Sequence, residues 1–107
     1  MFTRTVTSIT KPGKGKEVCT TIREKVIPLL RNQSGFIDEI TLVSTSNPNH
    51  IVAHSFWKTR EDAERYYQSN YQTVLGLLRH HLDSEPTVET FDLEHSTVHK
   101  IAAGKAA

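Results

Sequence analysis

The run Phe56-Trp57-Lys58-Thr59-Arg60-Glu61-Asp62-Ala63-Glu64-Arg65-Tyr66-Tyr67 contains an abrupt change of period. Alternating, strand-like residues end on the chain's only tryptophan, and a helix begins almost at once. Thr59 followed three residues later by Asp62 has the form of a capping box, in which hydroxyl and carboxylate take up N–H groups that a helix start leaves unpaired. Arg60 therefore opens a helix. Beyond it Ala63, Tyr67, Tyr71, Val74, Leu78 and Leu82 recur at steps of three or four, which makes one apolar stripe with Tyr66 at its margin.

The rest of the chain divides around this junction. Phe2 to Ile9 is rich in threonine and β-branched residues and reads as a first strand. Lys11-Pro12-Gly13-Lys14-Gly15-Lys16 ends it, since proline lacks a ladder donor and glycine permits turns. The three lysines lack the spacing of a phosphate-binding loop and read as a solvated turn. Val18 or Cys19, Ile22, Val26 and Leu29 or Leu30 then give a helical period, and Pro28 is expected to kink or shorten its last turn.

Gly35 suits the left-handed position after a helix end. A second strand from Phe36 to Val43 follows, then a turn at Asn47-Pro48-Asn49 and a third strand from His50 to Lys58. In that strand Ile51, Ala53, Ser55 and Trp57 share one face, and His50, Val52, His54 and Phe56 the other. Gln68-Ser69-Asn70 are weak helix formers, so two consecutive helices and one bent helix both fit the segment after Arg60. Thr87 to Glu94 reads as a fourth strand and residues 97–107 as a C-terminal tail.

The resulting β-α-β-β-α-β order specifies an α+β, ferredoxin-like domain over residues 1–96, with a four-stranded antiparallel sheet covered by helices on one face. Apolar residues of both parities in strands two and three mean that the other face is also buried. A second copy packed about a two-fold axis is the expected cover.

Composition narrows the partners. A net charge of +1 gives no electrostatic basis for nucleic-acid or anionic-membrane binding. No apolar run approaches the roughly 18 residues that would span a bilayer. The lone Cys19, on an apolar stripe, reads as a small core residue and suits a reducing cytoplasm. Six histidines lack any metal-ligand spacing, so no metal is expected.

The element order, Ser34-Gly35-Phe36 before strand two, the Phe56 to Ala63 junction, the Tyr71 to Leu82 helix and Pro86-Thr87-Val88 together resemble the antibiotic biosynthesis monooxygenase family over about residues 2–95. The resemblance implies a homodimeric α/β barrel. It also implies a cofactor-independent monooxygenase acting on an aromatic or quinol-type molecule, a noncatalytic ligand-binding or stress-associated dimer of the same fold, or a haem degrader. Trp57 sits where the aromatic oxygenases carry a pocket tryptophan. Their asparagine four residues earlier falls on Ala53, and their tyrosine six residues later on Ala63. The haem-ligating histidine would fall near Gly76, one turn before His80 and His81, which disfavours haem degradation.

Candidate residues follow from these readings. Trp57, Tyr67, Tyr71 and His81 are the candidates for chemistry. A ligand is expected between the strand face carrying Ala53, Ser55 and Trp57 and the helical stripe carrying Tyr67 and Tyr71, where small side chains flanked by large ones leave space. Each has an ordinary alternative: Trp57 as a core anchor, the tyrosines as packing, and His81 as a solvated histidine.

Overall fold

Threonine and β-branched residues that alternate at both ends of the chain, with two helical periods between them, give the architecture their order implies. The computed structural model describes residues 1–98. Strand β1 (Phe2–Ile9) leads to helix α1 (Gly15–Thr21), a π-helical turn (Ile22–Val26) and helix α2 (Ile27–Arg31). Strands β2 (Phe36–Val43) and β3 (His50–Trp57) form a hairpin, and α3 (Arg60–Leu78) ends in a 3-10 turn (Arg79–His81) before β4 (Thr87–Asp92). The sheet is antiparallel in the order β2-β3-β1-β4, which is the ferredoxin-like α+β fold. No helix among the described residues is long and apolar enough to cross a membrane.

The register decides what each face carries. β1 sets Phe2 beside Trp57, Arg4 beside Ser55 and Val6 beside Ala53, and β2 sets Glu39 beside Ser55 on the other side. An irregularity between Phe36 and Asp38 leaves Ile37 unpaired. The extra residue bends the edge strand there. The helices cover this face, with Phe2, Val18, Ile22, Val26, Leu30, Ile51, Trp57, Ala63, Tyr66, Tyr71, Val74, Leu75 and Leu82 as the core. The opposite face carries Ile40, Leu42 and Phe91, all exposed, beside Val52, Phe56 and His54.

Local chemistry explains where elements begin and end. The Asp62 N–H donates to Thr59 Oγ1 at 3.1 Å, so the N-cap forms, while the Asp62 carboxylate accepts from the Thr59 hydroxyl at 2.9 Å and not, as a full capping box would have it, from a backbone N–H. The carboxylate, bonded also by Arg65 at 2.9 Å, is held below its usual pKa range first by the Thr59 hydroxyl and then by Arg65. Past Gln68-Ser69-Asn70 the helix is a single element. The Ser69 hydroxyl shares the Arg65 carbonyl, the i−4 acceptor of the helix ladder, at 2.7 Å, and the Asn70 amide donates away from the helix to Gln33 at 3.1 Å, so both side chains are satisfied without breaking the helix.

Two expectations are corrected. Pro28 sits in the first turn of α2, and the distortion lies upstream of it in the π turn, where the ladder widens ahead of the missing donor. β4 stops at Asp92 rather than Glu94, because Asp92 already faces Phe2, the first residue of its partner strand. Of the tail expected from residue 97, residues 99–107 lie outside the described residues.

Gly35 adopts φ 77°, the left-handed conformation, and a Cβ there would run into the Asp62 carboxylate. Gly13 has the same φ of 77° but open space around it. Gly13→Ala is therefore expected to cost about 1–2 kcal/mol from the backbone alone. Gly35→Ala should cost about 1 kcal/mol more, because it also displaces the cap. Urea denaturation of the two variants measures the difference.

Candidate functional site

Arg4 has the same parity on β1 as Phe2 and Val6, so strand alternation points a guanidinium at the helices rather than at water. It is 4% exposed. Among the described residues no carboxylate lies within ion-pair distance of it, and its Nη2 is buried with no hydrogen-bond partner. Three tyrosines of α3 surround it instead, with ring centroids 5.5, 5.2 and 4.9 Å from the guanidinium carbon for Tyr66, Tyr67 and Tyr71. Each such contact contributes about 0.5–2 kcal/mol, depending on how dry it is. Burial pulls the guanidinium pKa below its ordinary value, and the three phenols act against that.

Trp57 is 0% exposed and belongs to the core. Its indole N–H donates to Ser55 Oγ at 2.9 Å. Its ring stacks on Tyr66 at 5.1 Å and meets the edge of Phe36 at 5.5 Å. The helix is thereby rotated so that Tyr66 is the buried tyrosine, at 4% exposed, and Tyr67 is 50% exposed. This reverses the expected placing of these two rings. Both are within the arc of an apolar stripe that starts at Ala63, and the position of Trp57 beneath the helix selects between them. Burial raises the Tyr66 phenol to about 12, with Arg4 opposing the shift, and burial likewise raises Tyr71.

Two spaces adjoin Arg4. The larger, of about 500 Å³, lies between α3 and the β1–β4 edge. Its walls include Phe2, Arg4, Ala63, Tyr67, Tyr71, Leu75, Val88 and Thr90, and its rim carries Arg60, Glu64, Arg79 and Glu85. The smaller, of about 60 Å³, is enclosed by Arg4, Val6, Glu39, Ala53 and Ser55 of the sheet and by Ile22, Val26, Leu30, Tyr66, Tyr71 and Val74 of the helices. Arg4 and Tyr71 belong to both walls.

The residues predicted from sequence therefore divide. Tyr67 and Tyr71 line the larger cavity, Ala53 and Ser55 meet Tyr71 at the smaller one, and Trp57 lines neither. His81 is outside both, in the 3-10 turn, where its backbone carbonyl accepts from the Lys11 N–H at 2.8 Å. Desolvation, then His80 and Lys14, lower its imidazole pKa. Cys19 is half-buried against the core, and burial raises its thiol pKa, which keeps it protonated.

Sequence reasoning missed Arg4 and Glu39. Glu39 faces the smaller cavity, accepts from the Thr41 hydroxyl at 2.8 Å, and has its carboxyl pKa raised chiefly by burial. The signal available was one of phase: each charge shares its parity with the helix-facing residues of its strand. Among the described residues no group of three His, Cys, Asp or Glu side chains is placed to hold a metal.

An antiparallel sheet with one helix-covered face and a tyrosine-walled cavity at its edge defines a ferredoxin-like, small-molecule-sized architecture. The family model for antibiotic biosynthesis monooxygenases matches residues 1–75, and the chain belongs to that family. No curated protein sequence matches it. Among solved structures, SnoaB, a cofactor-independent oxygenase from Streptomyces nogalater, is similar with a TM-score of 0.74 at 16% identity, covering 90% of this chain and 96% of that one. A monooxygenase from the gene ActVA-Orf6 of Streptomyces coelicolor, in complex with nanaomycin D, gives 0.74 at 15% identity over 89% and 88% of the two chains. A conserved protein from Methanosarcina mazei Go1 gives 0.71 at 22% identity over 85% and 91%. At these identities the likeness is one of fold.

Tyr66 makes stability depend on alkaline pH. Its folded pKa is raised from 10.0 to about 12, so the folded state keeps a proton that the unfolded chain loses. The contribution is complete below pH 10 and is lost as pH rises through about 12. Chemical denaturation across that range should show the decline, and Tyr66→Phe should flatten it.

Proposed function

We propose that the chain is a cofactor-independent monooxygenase-like protein that takes an aromatic or quinol-type molecule into the larger cavity. The observation that carries this reading is the cavity's construction. Tyr67 and Tyr71, 5.4 Å apart and tilted by 31°, form with Leu75 an apolar, largely aromatic wall on α3, and β1 and β4 contribute Phe2, Val88 and the Arg4 guanidinium. A space of about 500 Å³ is in the range that holds drug-sized ligands. The cofactor-independent oxygenase among the similar structures supports the reaction class.

An electron-rich ring that loses a proton can itself pass electrons to molecular oxygen. The protein then has to orient the ring, exclude water and stabilise the negative charge. The tyrosine wall orients a flat ring, and Arg4 is the group placed to meet charge. A noncatalytic binding protein is the second reading, favoured by two specific features. The Trp57 N–H is spent on Ser55, and the cavity's carboxylates, Glu64 and Glu85, are both exposed. Oxygen consumption with a panel of hydroquinones separates the readings. Turnover should exceed autoxidation and fall at least tenfold in Val88→Trp, which fills the cavity from the edge strand. Consumption equal to autoxidation leaves the binding role alone.

The same reading includes a homodimer formed through the open sheet face, in a reducing compartment that suits the Cys19 thiol. Ile40 and Leu42 of β2, 40% and 47% exposed, lie beside Val52 of β3 on the open face, and Phe91, 47% exposed, adds an apolar ring at the far edge, so a partner sheet has apolar side chains to cover. Sedimentation should give twice the 12.1 kDa chain mass, and Leu42→Glu should return the protein to monomer. A wild-type monomer would remove the dimer from the proposal.

A further inference from the structure

We infer that the molecule bound in the larger cavity carries a delocalised oxyanion on a planar ring, a carboxylate or a phenolate, and that Arg4 is the residue that selects it. The inference rests on reading the cavity as a ligand site, and it deepens that reading.

A guanidinium removed from water needs compensation for its lost hydration, and buried arginines ordinarily obtain it from carboxylates. Arg4 has none among the described residues. The tyrosine rings compensate its faces, where ring π-density meets the cation. The Tyr66 side chain also hydrogen-bonds the guanidinium, and Nη2 is still left buried without an acceptor. An anionic oxygen placed for a charge-assisted hydrogen bond is what Nη2 lacks; a phenolate supplies one such oxygen, and a carboxylate supplies two that can fork onto the guanidinium.

The surroundings favour the same charge. Of the five charged groups lining the cavity, Arg4, Arg60 and Arg79 are positive and Glu64 and Glu85 negative. Arg79 and Glu85 neutralise each other in an ion pair at 3.1 Å, and Arg60 lies over the Phe2 ring at 5.3 Å. The floor thus keeps one cation with no counter-charge of its own. Tyr67 is the half-exposed member of the cage and the ring that can yield as a ligand approaches. A flat ring against Tyr67 and Tyr71 places its own substituent toward Arg4, so ring shape and charge are read together.

The test measures binding without oxygen, using naphthoate against naphthamide and nitrophenolate against nitrobenzene, by calorimetry. Each anion should bind wild type about 10- to 100-fold more tightly than its neutral counterpart, the range expected for a hydrogen bond to a charged group. The pair showing the larger ratio identifies carboxylate or phenolate as the preferred source. Arg4→Met should abolish the ratio while the protein stays folded, since an unpaired buried cation is replaced by an apolar side chain of similar length. Should that variant not fold, Arg4→Lys keeps the charge and loses the planar fork, and the ratio should fall about tenfold. Equal binding of anion and neutral probe to wild type, no binding of any probe, or a ratio unchanged in the Arg4 variants overturns the inference. A failed oxygen-consumption assay with the anion preference intact overturns only the oxidation.

Discussion

Trp57 is the piece on which the other parts close. Its indole joins three strands and the long helix: it pairs with Phe2 and Phe36 in the sheet register, donates to Ser55 on its own strand, and stacks under Tyr66. A ring of this size with its one donor satisfied is dense core material, and its aromatic contacts add about 0.5–1.5 kcal/mol each beyond burial. Because Tyr66 must lie on Trp57, the rotation of α3 about its axis is fixed. That rotation brings Tyr71 and Tyr67 around Arg4, and the cavity is what remains between this cage and the edge strand.

The family resemblance puts a pocket tryptophan at position 57, and in this structure that residue lines neither cavity beside Arg4. Trp57 is fully enclosed in the core, and the polar side chains that α3 and β1 set into the wall of the larger cavity include Arg4, Tyr67 and Tyr71. Arg4 is costly as structure: among the described residues its burial is compensated by three tyrosine rings and the Tyr66 side-chain hydrogen bond, with no carboxylate in ion-pair distance and Nη2 unpaired. A methionine would fill the same volume without that penalty. An incompletely paired cation at the wall of a cavity is the feature of the core that supports the proposed binding role.

Much of the fold was legible in the sequence because it depends on short-range chemistry. The Thr59–Asp62 cap, the left-handed Gly35 and the change of period at Trp57 are each decided by neighbouring residues, and each is present. The site was less legible. Arg4 acquires its meaning from tyrosines more than 60 positions away, and a lone arginine among threonines gives no local sign of burial. The choice between Tyr66 and Tyr67 differs by one helical step and is made by Trp57, which lies across the sheet–helix interface. Ala53 and Ser55 line the smaller space and Tyr67 the larger, with Tyr71 and Arg4 in the walls of both.

The π turn between α1 and α2 gives the smaller cavity an unusual wall. Ile22 and Val26, the turn's first and last residues, both line that 60 Å³ space. A wide turn has poorer hydrogen-bond geometry than the α-helix on either side, so it is where the helical layer bends most easily. The sheet side of the same cavity, built from paired strands, has no such freedom. The smaller cavity therefore lies between two kinds of wall: a sheet side whose spacing is set by paired strands, and a helical side where a change of residue at Ile22 or Val26 alters the cavity and the turn together.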